Sequence, residues 1–286
     1  MQALYDVPAP AKLNLFLHLT GRRADGYHLL QSAFMLIDWC DTLHFELRRD
    51  GGITRKDLAE PLPPDDLIVR AARALQQATS SPLGAHIAVQ KRIPAQAGMG
   101  GGSSDAASTL LALNRLWGLG LSRGQLAAIG LQLGADVPFF IHGGNAWVEG
   151  IGEQIRPLNV PAARFVVVKP QAGLDTGAIF RAPGLKRDSE AATILGFAAD
   201  PLGFGQNDLQ PVAERLCPPV AQAILLLAQH GLKGRMTGSG SAVFAPLAQE
   251  VGVVSRLESQ LPPGWSMRLC SNMEVHPLGG WASSDN

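Results

Sequence analysis

The sequence predicts an α/β protein long enough for one large or two modest domains, and three observations carry that prediction. Apolar residues make up 46% of the 286 positions and charged residues 17%, a balance that suits a packed globular chain. Pro8–Thr20 (PAPAKLNLFLHLT) alternates with the period of a strand. Ile93–Ala107 (IPAQAGMGGGSSDAA) joins a strand-like segment, Ala85–Ile93, to a helix-like one, Ser103–Trp117, through a glycine-rich loop.

In Pro8–Thr20 the leucines at 13, 15, 17 and 19 share an apolar face, and Lys12, Asn14, Phe16 and His18 share the other. Gly21–His28 is a turn centred on Asp25-Gly26, and Tyr27 and His28 lead into a second strand in which Leu43, Phe45 and Leu47 alternate. Arg48–Pro64 is polar and proline-rich and is expected to be a surface loop. Asp65–Thr79 reads as a helix opened by an aspartate cap, and Ser122–Leu133 as one capped by Ser122 and stopped at Gly134. Asp136 falls between that glycine and Val137-Pro138, so it is expected at a bend before the apolar Phe139-Phe140-Ile141, either capping a short helix or serving as a positioned base.

Farther on, Gly143–Leu158 has hairpin character and Ala163–Lys169 is an apolar strand. Leu174–Phe180 reads as a short helix, Arg181–Asp208 as loop, and Gln210–His230 as a helix broken at Pro218-Pro219. A second glycine-serine loop, within Lys233–Ala245, passes into a strand. A helix over Glu250–Gln260 and a strand over Ser266–Cys270 follow, and Gly279–Asn286 is expected to be a disordered tail.

Proline, four glycines and two serines ahead of a helix form a place where backbone N–H groups converge on an anion, with the helix N-terminus adding partial positive charge. The expected ligand is phosphate. The loop is not a Walker A motif, since Gly102 is followed by Ser103 and no lysine, and it is not a G-x-G-x-x-G fingerprint, since neither Gly98 nor Gly100 has glycine five positions on. Serines at its end are expected to cap the helix.

A net charge of zero without a basic run argues against a nucleic-acid partner. Cys40, Cys217 and Cys270 are far apart and show no metal-ligand spacing, so neither a disulfide framework nor a zinc site is expected. No signal-peptide pattern or membrane-length apolar run occurs, so a cytoplasmic protein without a membrane partner is expected.

Three stretches fall in one order: PAKLNLFLHLTGRRADGYH, IPAQAGMGGGSSDAA and RMTGSGSAVFA. Together they resemble the GHMP kinase superfamily of galactokinase, homoserine kinase, mevalonate kinase and phosphomevalonate kinase, from Pro8 to Pro277. The resemblance implies a mixed α/β (α+β) fold of two domains with the active site in the cleft between them. The first, residues 1–160, would be ribosomal-protein-S5-like with a left-handed crossover and carry the ATP loop; the second would span 161–278. It implies ATP as co-substrate, magnesium, and a small-molecule acceptor. PAKLNLFL, ADGYH and LGADVPFF are closest to members whose acceptor is cytidine diphosphate-methylerythritol. The alternatives are a mevalonate- or homoserine-type kinase, or a non-enzymatic nucleotide-binding protein on the same fold. A monomer or homodimer is expected.

Matched residue by residue, the resemblance makes Asp136 the catalytic base and Lys12 its charge partner. Pro94, Gly98, Met99, Gly100, Gly101, Gly102, Ser103 and Ser104 would wrap the ATP phosphates, with Ser103 or Ser104 a candidate magnesium ligand, and Leu67 and Lys91 would lie near adenine. Asn14, Tyr27, His28, Phe180, Gly238 and Ser239 would bind the acceptor: Tyr27 stacking on the base, Phe180 closing its other side and His28 reading its edge. Two positions depart from the family pattern: Asp66 stands where asparagine is usual, and Ala95-Gln96-Ala97 where glycine is commoner.

Overall fold

The computed structural model describes residues 1–248 and 252–284. The first half runs β1 (Ala3–Arg22), β2 (His28–Arg48), β3 (Ile53–Asp57), α1 (Leu67–Thr79), β4 (Gly84–Gln90), α2 (Gly101–Leu116), α3 (Arg123–Leu131), α4 (Val137–His142), β5 (Ala146–Glu149) and β6 (Gln154–Pro157). The second half runs β7 (Arg164–Lys169), α5 (Thr176–Arg181), α6 (Ile194–Ala199), α7 (Gln210–Leu216), α8 (Pro218–Gln229), β8 (Arg235–Met236), β9 (Val243–Pro246), α9 (Val253–Gln260) and β10 (Ser266–Met273). Glu250, where the last helix was expected to begin, lies outside the described residues.

β2 is the spine. One edge carries β1 antiparallel along almost its whole length, with register shifts near Pro10 and between Asn14 and Leu17. The other edge carries β5 at Ser32–Phe34, β10 at Leu36–Ile37 and β4 at Thr42–Arg48. β10 then continues against β7, and β7 against β9 and β8, so one mixed sheet runs through both halves.

Helices α1 to α4 cover one face of the first half around Phe45, Leu110, Leu113, Phe139 and Phe140. A second cluster, including Phe16, Trp147, Phe165 and Phe244, joins the halves; a third lies under α7 and α8. β1 is therefore buried on both faces: Phe16 is inaccessible and Lys12 and Asn14 are almost so, where alternation led to the expectation of one core face.

Three further expectations change. Within the expected loop Arg48–Pro64, β3 pairs in parallel with β4. Its sequence, ITRKD, hides the strand because Arg55 is half-buried in charge rather than in apolar contact: it pairs with Asp57 at 2.7 Å and Asp66 at 2.6 Å. The expected loop Arg181–Asp208 contains α6, whose Phe197 is fully buried against Phe16, Trp147 and Phe204. The tail expected to be disordered is docked as far as Ser283. Trp281 packs on the first core and takes the Arg115 guanidinium 4.8 Å above its ring, the Arg123 side chain bonds the Gly279 carbonyl, and the Arg123 N–H donates to the Ser283 carbonyl at 2.9 Å. Asp285 and Asn286 lie outside the described residues.

Several expectations hold in detail. Asp66 caps α1 by accepting from the Val69 N–H, and Ser122 and Gln125 form a reciprocal capping box on α3. The predicted proline break separates α7 from α8 at Cys217.

Candidate active site

The glycine loop ends in a helix that begins earlier than the serines suggest. Gly100 is the N-cap of α2, with φ 71°, and no side chain caps it. Ser103 and Ser104 already lie in the first turn, so the expected serine cap is absent: the left-handed turn at Gly100 lets the backbone enter the helix directly. A Cβ at Gly100 would lie 3.0 Å from the Phe140 ring and 3.3 Å from Lys12 Cε.

Lys12 is placed from β1 and held in three directions. Its backbone N–H donates to the Met99 carbonyl at 3.0 Å, fastening strand to loop. Its ammonium donates to Asn14 Oδ1 at 2.6 Å, lies 4.3 Å above the Phe34 ring and stands 3.4 Å from Asp136 Oδ2. Asp136 occupies the N-cap position of α4 yet makes no side-chain cap, so its carboxylate is left to Lys12. Asn14 is itself fixed: its amide donates to Ser32 Oγ at 2.9 Å.

The second glycine-serine loop closes on the first, backbone to backbone. A Cβ at Gly98 would lie 2.2 Å from the Thr237 carbonyl oxygen, and one at Gly238 would lie 2.6 Å from the Gly98 carbonyl oxygen. Both glycines have positive φ, and no other residue type fits that approach. The Thr237 hydroxyl accepts the Asn14 N–H at 3.0 Å, and Asn207 donates to the carbonyls of Met236 and Gly238 at 2.8 Å each. Residue 96, where glycine is commoner in the family pattern, is a glutamine at φ 50°; its carbonyl accepts the Ser241 N–H at 3.1 Å.

These elements enclose a cavity of about 630 Å³ lined by Lys12, Asn14, Leu67, Lys91, Pro94, Gly98, Met99, Gly100, Gly101, Gly102, Ser103, Asp136, Phe180, Gly238 and Ser239. Every residue expected at the ATP loop and the reacting centre reaches it except Ser104, which is fully buried with its hydroxyl unpartnered. The serine that lines the cavity is Ser103, the residue before it on the helix. No group of three or more His, Cys, Asp or Glu suited to a metal occurs among the described residues. A magnesium ion, which accepts one or two protein oxygens and keeps phosphate and water for the rest, fits Ser103 on those terms.

Lys91 is not free to meet adenine. Its ammonium is bound to Asp41 and, at 2.5 Å, to Asp105. Asp41 also accepts the N–H groups of Arg92 and Ile93, at 2.5 and 2.8 Å, so this cluster clamps the end of β4, the loop entry and α2 together. Burial pushes the Asp105 carboxyl up to about 8 against the pull of Lys91. Asp66, the other departure from the family pattern, lines the cavity but is engaged by Arg55 and by the cap of α1.

A second cavity of about 820 Å³ adjoins the first, sharing Leu30 and Phe180 with it. Arg22, Tyr27, His28, Arg181 and Arg187 line it. Tyr27 is 61% exposed at its mouth. Phe180 stacks on His28, ring centres 4.9 Å apart at 30°, so no base fits between those two rings. Burial, then the charges of Arg187 and Arg22, lower the His28 pKa and hold its imidazole neutral.

Thr237, Asn207, Asp41 and Arg187 were not singled out as site residues from the sequence. Thr237 precedes a glycine in the second loop and Asn207 ends a loop-rich stretch, which were their only signals; Asp41 and Arg187 had none.

The chain matches two family models, described as GHMP kinases N terminal domain at residues 66–144 and GHMP kinases C terminal at residues 189–260. It is 67% identical over 285 residues to the 4-diphosphocytidyl-2-C-methyl-D-erythritol kinase of Albidiferax ferrireducens, covering 100% of this chain and 98% of that one. It is 64% identical over 290 residues to the enzyme of the same name from Paracidovorax citrulli, covering 100% of both. A crystal structure of 4-(cytidine 5'-diphospho)-2C-methyl-D-erythritol kinase superposes with a TM-score of 0.79 at 33% identity, over 93% of this chain and 98% of that one. Homoserine kinase from Cytophaga hutchinsonii shares the fold, with a TM-score of 0.72 at 15% identity over 96% of each chain. Identity of this extent over the whole length places the chain in the GHMP kinases and, within them, in the family of 4-diphosphocytidyl-2-C-methyl-D-erythritol kinases, phosphotransferases acting on an alcohol.

Proposed function

We propose that this kinase transfers the γ-phosphoryl group of ATP to the C2 hydroxyl of 4-diphosphocytidyl-2-C-methyl-D-erythritol, giving the 2-phosphate and ADP in the methylerythritol phosphate route to isoprenoid precursors. The observation that carries the proposal is the Lys12–Asp136 pair at 3.4 Å in a cavity that holds the glycine loop and adjoins a second one lined by Tyr27, His28 and Phe180.

Phosphoryl transfer asks the protein for position and charge. The loop Gly98–Gly102 offers backbone N–H groups to the triphosphate, and the start of α2 adds its partial positive charge. Asp136 orients the tertiary hydroxyl and takes its proton as the oxygen attacks the γ-phosphorus. Lys12 pairs with Asp136 and offsets charge on the group in transfer. Asn14, which fixes the Lys12 ammonium, is within reach of the same acceptor. Ser103 would help hold a magnesium ion, which would supply neutralisation of phosphate charge.

Tyr27 stacks on the cytosine from the open side, His28 reads its edge, and Phe180 backs the imidazole. Gly238 and Ser239 face the substrate phosphates from the second half. The three cysteines are unpaired, and burial pushes Cys40 and Cys270 up to about 11 and 12, which suits a reducing cytoplasm. No helix among the described residues is long and apolar enough to cross a membrane.

The test is ATP consumption with 4-diphosphocytidyl-2-C-methyl-D-erythritol, mevalonate and homoserine supplied separately. Turnover with the cytidyl acceptor alone is expected; turnover with only the other two overturns the proposal.

A further inference from the structure

We propose that Arg187 is a positioning residue that fixes the tautomer of His28 and thereby makes the second cavity selective for a pyrimidine with an acceptor edge. The inference rests on the reading of that cavity as the cytidine site.

The Arg187 Nε–H donates to His28 Nε2 at 2.9 Å. A guanidinium stays protonated and has no acceptor, so the nitrogen it meets must present a lone pair. The one proton of the neutral imidazole is then on Nδ1. Arg187 cannot turn away to release it. Its terminal nitrogens make three further bonds, to the Leu185 carbonyl at 3.0 Å, the Phe180 carbonyl at 2.9 Å and the Ala182 carbonyl at 3.4 Å. Phe180 stacks on the imidazole and holds its plane. The ring is thus fixed in orientation by Phe180 and in protonation by Arg187. Burial and the flanking cations, Arg187 and Arg22, act in the same direction by disfavouring the imidazolium.

His28 Nδ1–H has no hydrogen-bond partner among the described residues, and His28 lines the cavity. A fixed donor there accepts a base that offers lone pairs. Cytosine presents N3 and O2 as acceptors. Uracil carries a proton on N3 between its O2 and O4 acceptors, so the donor that meets the N3 lone pair of cytosine would meet a donor at N3 of uracil. Discrimination of this kind comes from leaving buried polar groups unmatched rather than from shape. The other tautomer would reverse the preference at N3. Arg187 therefore supplies specificity through His28.

The test combines a spectroscopic and a kinetic readout on the full chain. Long-range ¹H–¹⁵N NMR of the ligand-free protein at neutral pH is expected to show His28 as the Nδ1–H tautomer. In Arg187→Met that signature is expected to give way to tautomer averaging, and Arg187→Lys, which keeps a donor, is expected to restore part of it. In parallel, the ratio of kcat/KM for cytidine- over uridine-diphosphate-linked methylerythritol is expected to fall about tenfold or more in Arg187→Met, through KM, with kcat at saturation little changed. An Nε2–H tautomer or an imidazolium in the wild type overturns the proposal, and this measurement needs neither a variant nor a substrate. An unchanged cytidine-to-uridine ratio in a folded Arg187→Met protein also overturns it. Failure of the wild type to use the cytidyl acceptor at all overturns the functional reading instead, which the ligand-free NMR result keeps distinct.

Discussion

The Lys12 ammonium stands 3.4 Å from the Asp136 carboxylate, although one comes from the first strand and the other from the start of a short helix that follows three others. Lys12 is almost inaccessible while the Asp136 side chain is 31% exposed, so the cation is the fixed member of the pair and the carboxylate the open one. Replacing Lys12 by Met, which keeps the stem against Phe34, is expected to lower kcat by about 10²-fold or more, with ATP affinity changed far less. Steady-state rates beside ATP titration calorimetry check this.

The two glycine loops meet without side chains between them. In Gly98→Ala the new methyl would fall 2.2 Å from the Thr237 carbonyl oxygen at a φ of 72°, so the loops must part. Left-handed backbone alone costs about 1–2 kcal/mol for a residue with a Cβ. The variant is expected to melt at lower temperature and to bind ATP more weakly. Gly118→Ala, also at positive φ but with nothing within 4 Å of the added methyl, controls for the backbone cost alone.

Asp41, Lys91 and Asp105 form a buried clamp behind the glycine loop with one cation for two carboxyls. Asp105 is raised in the folded protein from 3.8 to about 8, so the folded state binds a proton that the unfolded state releases between those values. Its stabilising contribution is present below the unfolded pKa and fades as pH rises through about 8. Asp105→Asn mimics the neutral form and is expected to retain ATP binding while removing that part of the pH dependence. Asp41→Ala strips the loop entry of its acceptor and leaves the Lys91 charge under-compensated; a loss of about 3–5 kcal/mol is expected from urea unfolding.

His276 acts with the opposite slope. It is 2% exposed, its Nε2 has no partner, and burial lowers its pKa from 6.5 to about 4. The unfolded chain therefore takes up a proton that the folded one refuses. The neutral-form contribution is complete above pH 6.5 and is lost as pH falls through about 4, on the order of 3 kcal/mol. His276→Asn, whose side-chain oxygen can accept the Leu278 N–H as Nδ1 does, is expected to flatten the acid limb of a stability-versus-pH curve.

Local chemistry made much of this legible. Asp66, Ser122 and Pro218 mark helix starts by mechanisms that operate within a few residues, and each holds in the fold. The glycine loop is legible as a helix entry for the same reason. What the sequence concealed depends on partners far along the chain. β3 reads as loop because Arg55 is neutralised by Asp66, beyond a proline-rich turn. Lys91 looked available because nothing local shows Asp41 reaching it across the sheet. Arg187 sits in a stretch without periodicity, and only the fold brings it to His28. The tail looked disordered by composition, yet Trp281 finds Arg115 on the outer end of α2.

Phosphoryl transfer from ATP to the cytidyl acceptor in Asp136→Ala, followed in a single turnover at saturating ATP, tests the proposed chemistry most directly. ATP binding within a few fold of wild type and a transfer rate lower by about 10²-fold or more are expected. A transfer rate equal to wild type would contradict the proposed chemistry and remove Asp136 from the reaction.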